Sequence, residues 1–337
     1  MALAMAHLGA RGKTAAEMEQ ALHFPKTGLD QSFGTLFEKL TTPSAKGPRI
    51  DMANRIFPSK GFAVLSAYVQ ALRRYYATTL QALDFGDPEK AAATINAWVE
   101  ARTMGRIPNL LQPGDLSDLT KFVLVNTIYF KRTWKKPFDK RATSKKAFYP
   151  TPKSPVQVDT MFGLVEAGYK SLPGFQVLSL PYAGNRISMV IFLPDEKDGL
   201  QSLEKKLDAR MLQSAVSHLP HTKVVVFLPK FHAKQRLQLR SILQKLGIHL
   251  AFSKEADFSG ITATKPGIFI SAVIHEANCD VDERGTVAAA ATALVAKGTG
   301  APRSQPPPTF RADHPFLFFI RDDASGAILF MGRIVKP

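Results

Sequence analysis

Three acidic residues within four positions, Asp280, Asp282 and Glu283, and the pair His218 and His221 are the residues whose types and spacing most invite a chemical reading. The carboxylates have the composition of an acidic site, and the two imidazoles flank Leu219-Pro220 as a metal pair could. Neither develops further. The histidines have no placed third ligand, so a loop is the expected setting. The sequence contains no Gly-x-Ser-x-Gly elbow, phosphate loop, dinucleotide glycine pattern or His-Glu-x-x-His helix. The single cysteine, Cys279, excludes an intramolecular disulfide and sits in a strand-like stretch, where packing is its expected role. No Asn-x-Ser/Thr acceptor occurs. The sequence therefore argues against an enzyme and against a bound metal.

The acidic trio leads into a more distinctive stretch. From Thr286 to Ala296 there is no charge and no proline, so the segment can be buried as a strand. With period two, Thr286, Ala288, Ala290, Thr292, Leu294 and Ala296 share one face, and Lys297 falls on the other. Four consecutive alanines, Ala288 to Ala291, favour a helix equally. Beyond it, Gly300-Ala301-Pro302-Arg303-Ser304-Gln305 and three prolines, Pro306 to Pro308, cannot join a ladder interior and read as an exposed extended loop.

The elements that must position these residues follow from periodicity and punctuation. Helices are expected over 1–11, ending at Gly9, from a threonine-capped start at Thr14, over 29–40 and 66–83, over 91–103 and over 199–216. Strands are expected over 49–57, 122–134, 165–169, 176–180, 187–193, 224–231 and 270–277. With 337 residues and 45% hydrophobic content the chain can bury a large core, in one to three domains. Its apolar runs, such as Val123 to Phe130, fall short of the roughly 20 residues that span a membrane, and a soluble globular protein is expected. The net charge of +16 and pI near 9.9 imply a field that attracts polyanions such as heparin-like glycans, nucleic acid or acidic membrane surfaces. The basic residues are scattered in pairs, such as Arg73-Arg74 and Lys145-Lys146, as on a solvated surface.

Several segments resemble one family. Asp280-Val281-Asp282-Glu283-Arg284-Gly285-Thr286-Val287 followed by alanines looks like the hinge of the serpin reactive centre loop. Phe122-Val123-Leu124-Val125-Asn126-Thr127-Ile128-Tyr129-Phe130-Lys131-Arg132-Thr133-Trp134 resembles the serpin strand that lines the insertion gap, and Ile270 to Ala277, Phe310 to Ile320 and Phe330 to Pro337 resemble its later strands. The resemblance covers the whole chain. It implies an α+β fold of three β-sheets with a helical cluster, in one domain over 1–337, with the exposed loop at about 283–309. Residues 1–11 resemble the second half of a buried serpin helix. The family's first helix, the strand after it and the first half of that buried helix would then be absent, as expected if Met1 is an internal methionine of a longer protein, with a genuinely truncated chain as the alternative.

The resemblance also implies a trap for serine proteases, in which the cleaved loop enters the main sheet as a new strand. Glu283, Gly285, Thr286, Val287, Ala288, Ala289, Ala290, Ala291 and Thr292 form the hinge. The small, uncharged face of Thr286, Ala288, Ala290 and Thr292 meets the demand that insertion makes. Trp134 takes the place of the breach tryptophan, where the hinge first enters, and Asn126 and His275 match the shutter residues. The family's usual count from Glu283 places the reactive bond at Thr299-Gly300. Arg303-Ser304 is the alternative, but four further residues at about 3.4 Å each add roughly 13 Å of slack. Threonine suits elastase-like or subtilisin-like proteases. By resemblance the protein is a monomer, secreted or extracellular, with a heparin-like polyanion as its one possible cofactor. A non-inhibitory serpin and a polyanion-binding protein are the alternatives.

Overall fold

The computed structural model describes residues 1–41, 49–264, 267–285 and 306–337. The helices and strands begin with α1 (Ala2–Gly9), α2 (Gly12–Leu22), α3 (Leu29–Thr41), β1 (Arg49–Pro58), α4 (Ser66–Tyr76), α5 (Pro88–Arg102) and β2 (Phe122–Lys131). Then come β3 (Ser144–Thr151), β4 (Ser154–Leu172), β5 (Phe175–Pro181), β6 (Ile187–Pro194), α6 (Leu200–Lys206), α7 (Ala209–Val216) and β7 (His221–Pro229). The remainder is β8 (Phe231–Gln238), α8 (Arg240–Lys245), β9 (Ala272–Val281), β10 (Thr309–Arg311), β11 (Phe316–Asp322) and β12 (Ile328–Ile334). The chain divides into two compact units. One comprises 1–42, 50–129 and 234–278, and the other 43–49, 130–233 and 279–337.

The first unit contains α1 to α5 and α8. Helix α1 has almost no polar face, and Ala4, Met5 and Ala6 are fully buried. It packs closely enough that Tyr68 Oη donates to Met5 O at 2.8 Å. Helix α2 begins at Gly12 without a side-chain cap. The expected cap, Thr14, instead turns its hydroxyl to accept from Asp257 N at 2.9 Å. Helix α4 stops at Tyr76 rather than 83, with Ala77 in the left-handed region at φ 47°. Beyond it the backbone pairs with β1, Gln81 N donating to Ile56 O and Leu83 N to Pro58 O. Pairing with β1 outcompetes the helical periodicity of 77–83.

The four-stranded sheet has the order β1-β2-β9-β8, so β2 and β9 are direct neighbours. In the first unit Ser271 N donates to Phe122 O at 2.9 Å, and the Nδ1–H of His275 donates to Asn126 O at 3.2 Å. Both contacts advance by four residues, so the two strands run parallel.

The second unit is mostly sheet, built on β4, whose 19 residues pair in succession with three neighbouring strands. Its beginning pairs with β3 and its middle with β7, which carries β10 in parallel. Its end pairs with β5 and continues through β6, β11 and β12. Strand β6 is buried at every position, which accounts for its apolar run from Met189 to Pro194. The expected α+β mixture of helices and sheets is present, with the described strands joined into two sheets, of four and eight strands, where three were expected, because β4 runs continuously from its pairing with β7 to its pairing with β5. The expected helix at 199–216 is two helices, because the Asp208 carboxylate caps a new one by accepting from Met211 N at 2.7 Å. The expected strand at 224–231 spans two elements, β7 ending at Pro229. Among the described residues no helix is long and apolar enough to cross a membrane.

Candidate hinge and strand-insertion site

In the second unit β9 ends in a tight turn, Asp282-Glu283-Arg284-Gly285, closed by reciprocal bonds of 3.1 Å between Asp282 and Gly285. The Asp282 carboxylate accepts from Arg284 N at 2.8 Å, which stiffens the turn. The segment after β2 clasps it from outside. Trp134 N donates to Arg284 O at 2.9 Å and Phe138 N to Glu283 O at 2.7 Å. The Trp134 indole Nε1–H donates to Asp282 O at 2.9 Å. That indole stacks on Tyr182, with centroids 4.4 Å apart, and both rings are buried. Gly285, at φ 105°, lies so near the 132–134 backbone that a Cβ would fall 2.4 Å from Arg132 O and from Trp134 N.

Glu283 is 3% exposed and held by two partners. The Thr143 hydroxyl donates to its carboxylate at 2.8 Å, and the Lys230 ammonium lies at 3.2 Å. Burial alone would raise its pKa. The hydrogen bonds from backbone, Thr143 and Lys230 outweigh burial and hold the carboxyl below its ordinary value.

In the first unit Asn126 and His275 meet, the imidazole bonding the Asn126 carbonyl. The Asn126 amide donates to the Asn54 carboxamide oxygen on β1, and Thr78 Oγ1 donates to Asn54 O at 2.8 Å. Burial pulls the His275 pKa down against the opposing effect of the Asn126 bond, so the neutral ring is favoured. Residues 286–292, 299–300 and 303–304, which hold the rest of the expected hinge and both expected reactive bonds, lie outside the described residues.

The family model "Serpin (serine protease inhibitor)" matches residues 1–337. Leukocyte elastase inhibitor of Bos taurus is 40% identical over 345 residues, covering 100% of this chain and 90% of the relative. Serpin B3 of Homo sapiens is 36% identical over 357 residues, covering 100% and 91%. The crystal structure of uncleaved ovalbumin aligns with a TM-score of 0.90 at 30% identity, covering 100% and 90%. The chain belongs to the serpin family.

In this serpin the acidic trio is dispersed. Asp280 pairs with His232, Asp282 turns to Arg284 N, and Glu283 faces Thr143 and Lys230. Cys279 is buried, and burial pushes its thiol pKa up, away from the reactive thiolate. Among the described residues no group of three or more His, Cys, Asp or Glu is placed to hold a metal. Thr143, Phe138, Tyr182, Lys230 and Asn54 complete the two clusters and were not singled out from sequence. Their contacts span long separations and leave no local pattern.

Proposed function

We propose that this serpin inhibits serine proteases as a suicide substrate. The protease Ser Oγ attacks the Thr299 carbonyl, and the C–N bond to Gly300 breaks. The Gly300 amine leaves with a proton, and Thr299 remains as an ester on the enzyme. The freed hinge then enters between β2 and β9 and drags the ester with it. Loop insertion in serpins is one of the known ways in which a fold releases stored strain. The single observation that carries the reading is the clasp at the base of the hinge, where Gly285 and Glu283 are docked against the segment that follows β2. It sits where a strand continuing from β9 would begin to enter.

The energetics support it. About 15 new ladder bonds at ~1 kcal/mol each give on the order of 15 kcal/mol, comparable with the ~5 to 15 kcal/mol that stabilises a protease domain. An elastase-like or subtilisin-like target fits the small Thr299, and leukocyte elastase inhibitor is among the relatives. The test mixes the protein with elastase and, separately, with trypsin near equimolar ratio. The expected products are a boiling-stable adduct with elastase and a released peptide beginning at Gly300. Clean cleavage without adduct refutes the trap. Thr299→Arg is expected to shift inhibition toward trypsin, and unchanged inhibition rates refute the assignment of the bond. The charge of +16 favours a second role, binding of a heparin-like polyanion. Retention on a heparin column that is lost at modest salt tests it.

A further inference from the structure

A hollow of about 490 Å³ in the first unit lies among α3, the middle of β1 and the ends of α4 and α5. Three arginines line it, Arg55, Arg73 and Arg102, and no carboxylate does among the described residues. Arg73 and Arg102 each sit near the end of a helix, where a cation complements the helix dipole. The dipole accounts for their sign, not for their convergence with Arg55. The Arg55 guanidinium lies 4.4 Å over the Trp98 ring and donates to Gln81 Oε1 at 3.0 Å. Its Nε and the Trp98 indole nitrogen are buried with no hydrogen-bond partner. Arg55 is destabilised as a cation by burial first and by the charge of Arg102 second. Arg73 and Arg102 form no ion pair with any described carboxylate.

Converging guanidiniums without a counter-charge among the described residues, beside an indole and the hydroxyls of Thr78 and Thr79, lack one thing, an anion with a body. We propose that this hollow binds a small organic dianion, a phosphate or sulfate monoester whose planar or apolar group rests against Trp98. The guanidinium fork matches the oxygens of such a group, the Thr79 hydroxyl adds a donor, and the volume is within the range of small-ligand sites. A long polyanion would instead read the scattered lysines of the whole surface.

The experiment titrates the full chain with phenyl phosphate by calorimetry, alongside inorganic phosphate, phenyl sulfate and phenol. Phenyl phosphate and phenyl sulfate are expected to saturate one site, inorganic phosphate to bind more weakly for want of the ring, and phenol not to bind. Because Arg55 also holds Gln81, the main variant is Arg73→Gln/Arg102→Gln, both exposed side chains. It is expected to weaken phenyl phosphate binding by about tenfold or more. Lys205→Gln/Lys206→Gln, on α6, removes the same charge elsewhere and is expected to change binding by under about twofold. Equal losses in the two double variants would overturn the site, since net charge alone would then explain binding. Binding of phenol as tight as phenyl phosphate would overturn the anion, and failure of phenyl phosphate to saturate one site would overturn the proposal as a whole.

Discussion

Replacing Gly285 by alanine puts a methyl group where the clasp has no room. The added Cβ would lie 2.4 Å from both Arg132 O and Trp134 N, about 1.0 Å short of the 3.4 Å at which ordinary contact begins, and the obstructing atoms are backbone. The positive φ adds a conformational cost of about 1 kcal/mol for a residue with a Cβ. The strain does not accumulate without limit, because the turn can undock instead. Undocking breaks the bonds from Trp134 N, Phe138 N and the Trp134 indole, a cost of about 3 kcal/mol at ~1 kcal/mol each. A 1.0 Å overlap with fixed backbone exceeds that ceiling, so Gly285→Ala is expected to open the clasp. Hydrogen exchange reads this directly. The Trp134 and Phe138 amides are expected to lose about a hundredfold in protection. Gly174→Ala is the control, since Gly174 also has positive φ but nothing within 4 Å of the added atom. Unchanged protection in Gly285→Ala, or an equal loss in Gly174→Ala, would refute the steric reasoning.

Glu283→Gln keeps the shape but removes the charge. Because Lys230 is 37% exposed, the expected loss is only about 1 kcal/mol, read as a lower thermal midpoint. Since the folded Glu283 pKa is depressed, its stabilisation is present above the ordinary carboxylate value and is lost as pH falls through the folded value. Glu283→Gln should therefore flatten the acid side of the stability profile, and an unaltered profile would argue against the pairing. His275, also depressed, takes up its proton more readily when unfolded, so stability falls as pH drops below about 6.5 until the folded value is reached. His275→Gln should remove that slope in pH-dependent denaturation. The Thr127 hydroxyl is fully buried without a partner, so Thr127→Val should raise the unfolding midpoint of the intact protein by about 1 to 2 kcal/mol equivalent. No gain would mean that the hydroxyl is satisfied in solution.

Sequence and structure agree where the signal is local. The run from Phe122 to Phe130 declares a buried strand by its composition, and the Asp208 cap was present to be read before α7. Trp134, Asn126 and His275 were placed by resemblance to a strand signature rather than by any property of their own. The misses share one physical cause. Residues 77–83 carry helical periodicity, yet their backbone bonds go to β1, a competition that no window of sequence contains. Thr143 meets Glu283 across 140 positions, and nothing near Thr143 announces it. The role of Gly285 was legible only in half. Its type suggested freedom, whereas the structure shows close approach of two backbones as the stronger demand.

Those magnitudes bear on how a closed sheet can be held ready. Thr127 Oγ1 on β2 and Asn278 Oδ1 on β9 are buried without partners, at a cost of about 1 to 3 kcal/mol each. Native proteins leave few such atoms, and here two fall on the strands that are direct neighbours in the four-stranded sheet. On the proposed reading, a strand entering between β2 and β9 returns on the order of 15 kcal/mol in ladder bonds, against about 3 kcal/mol for the clasp. On that proposal the clasp would be too weak to make the closed sheet the equilibrium state. On the same proposal the sheet would be kept closed by a barrier, set by the β2–β9 bonds that break before new ones form and by the loop's attachment at both ends. Cutting the loop would then remove the tether and leave the energies of the sheet unchanged, which would make proteolysis the trigger.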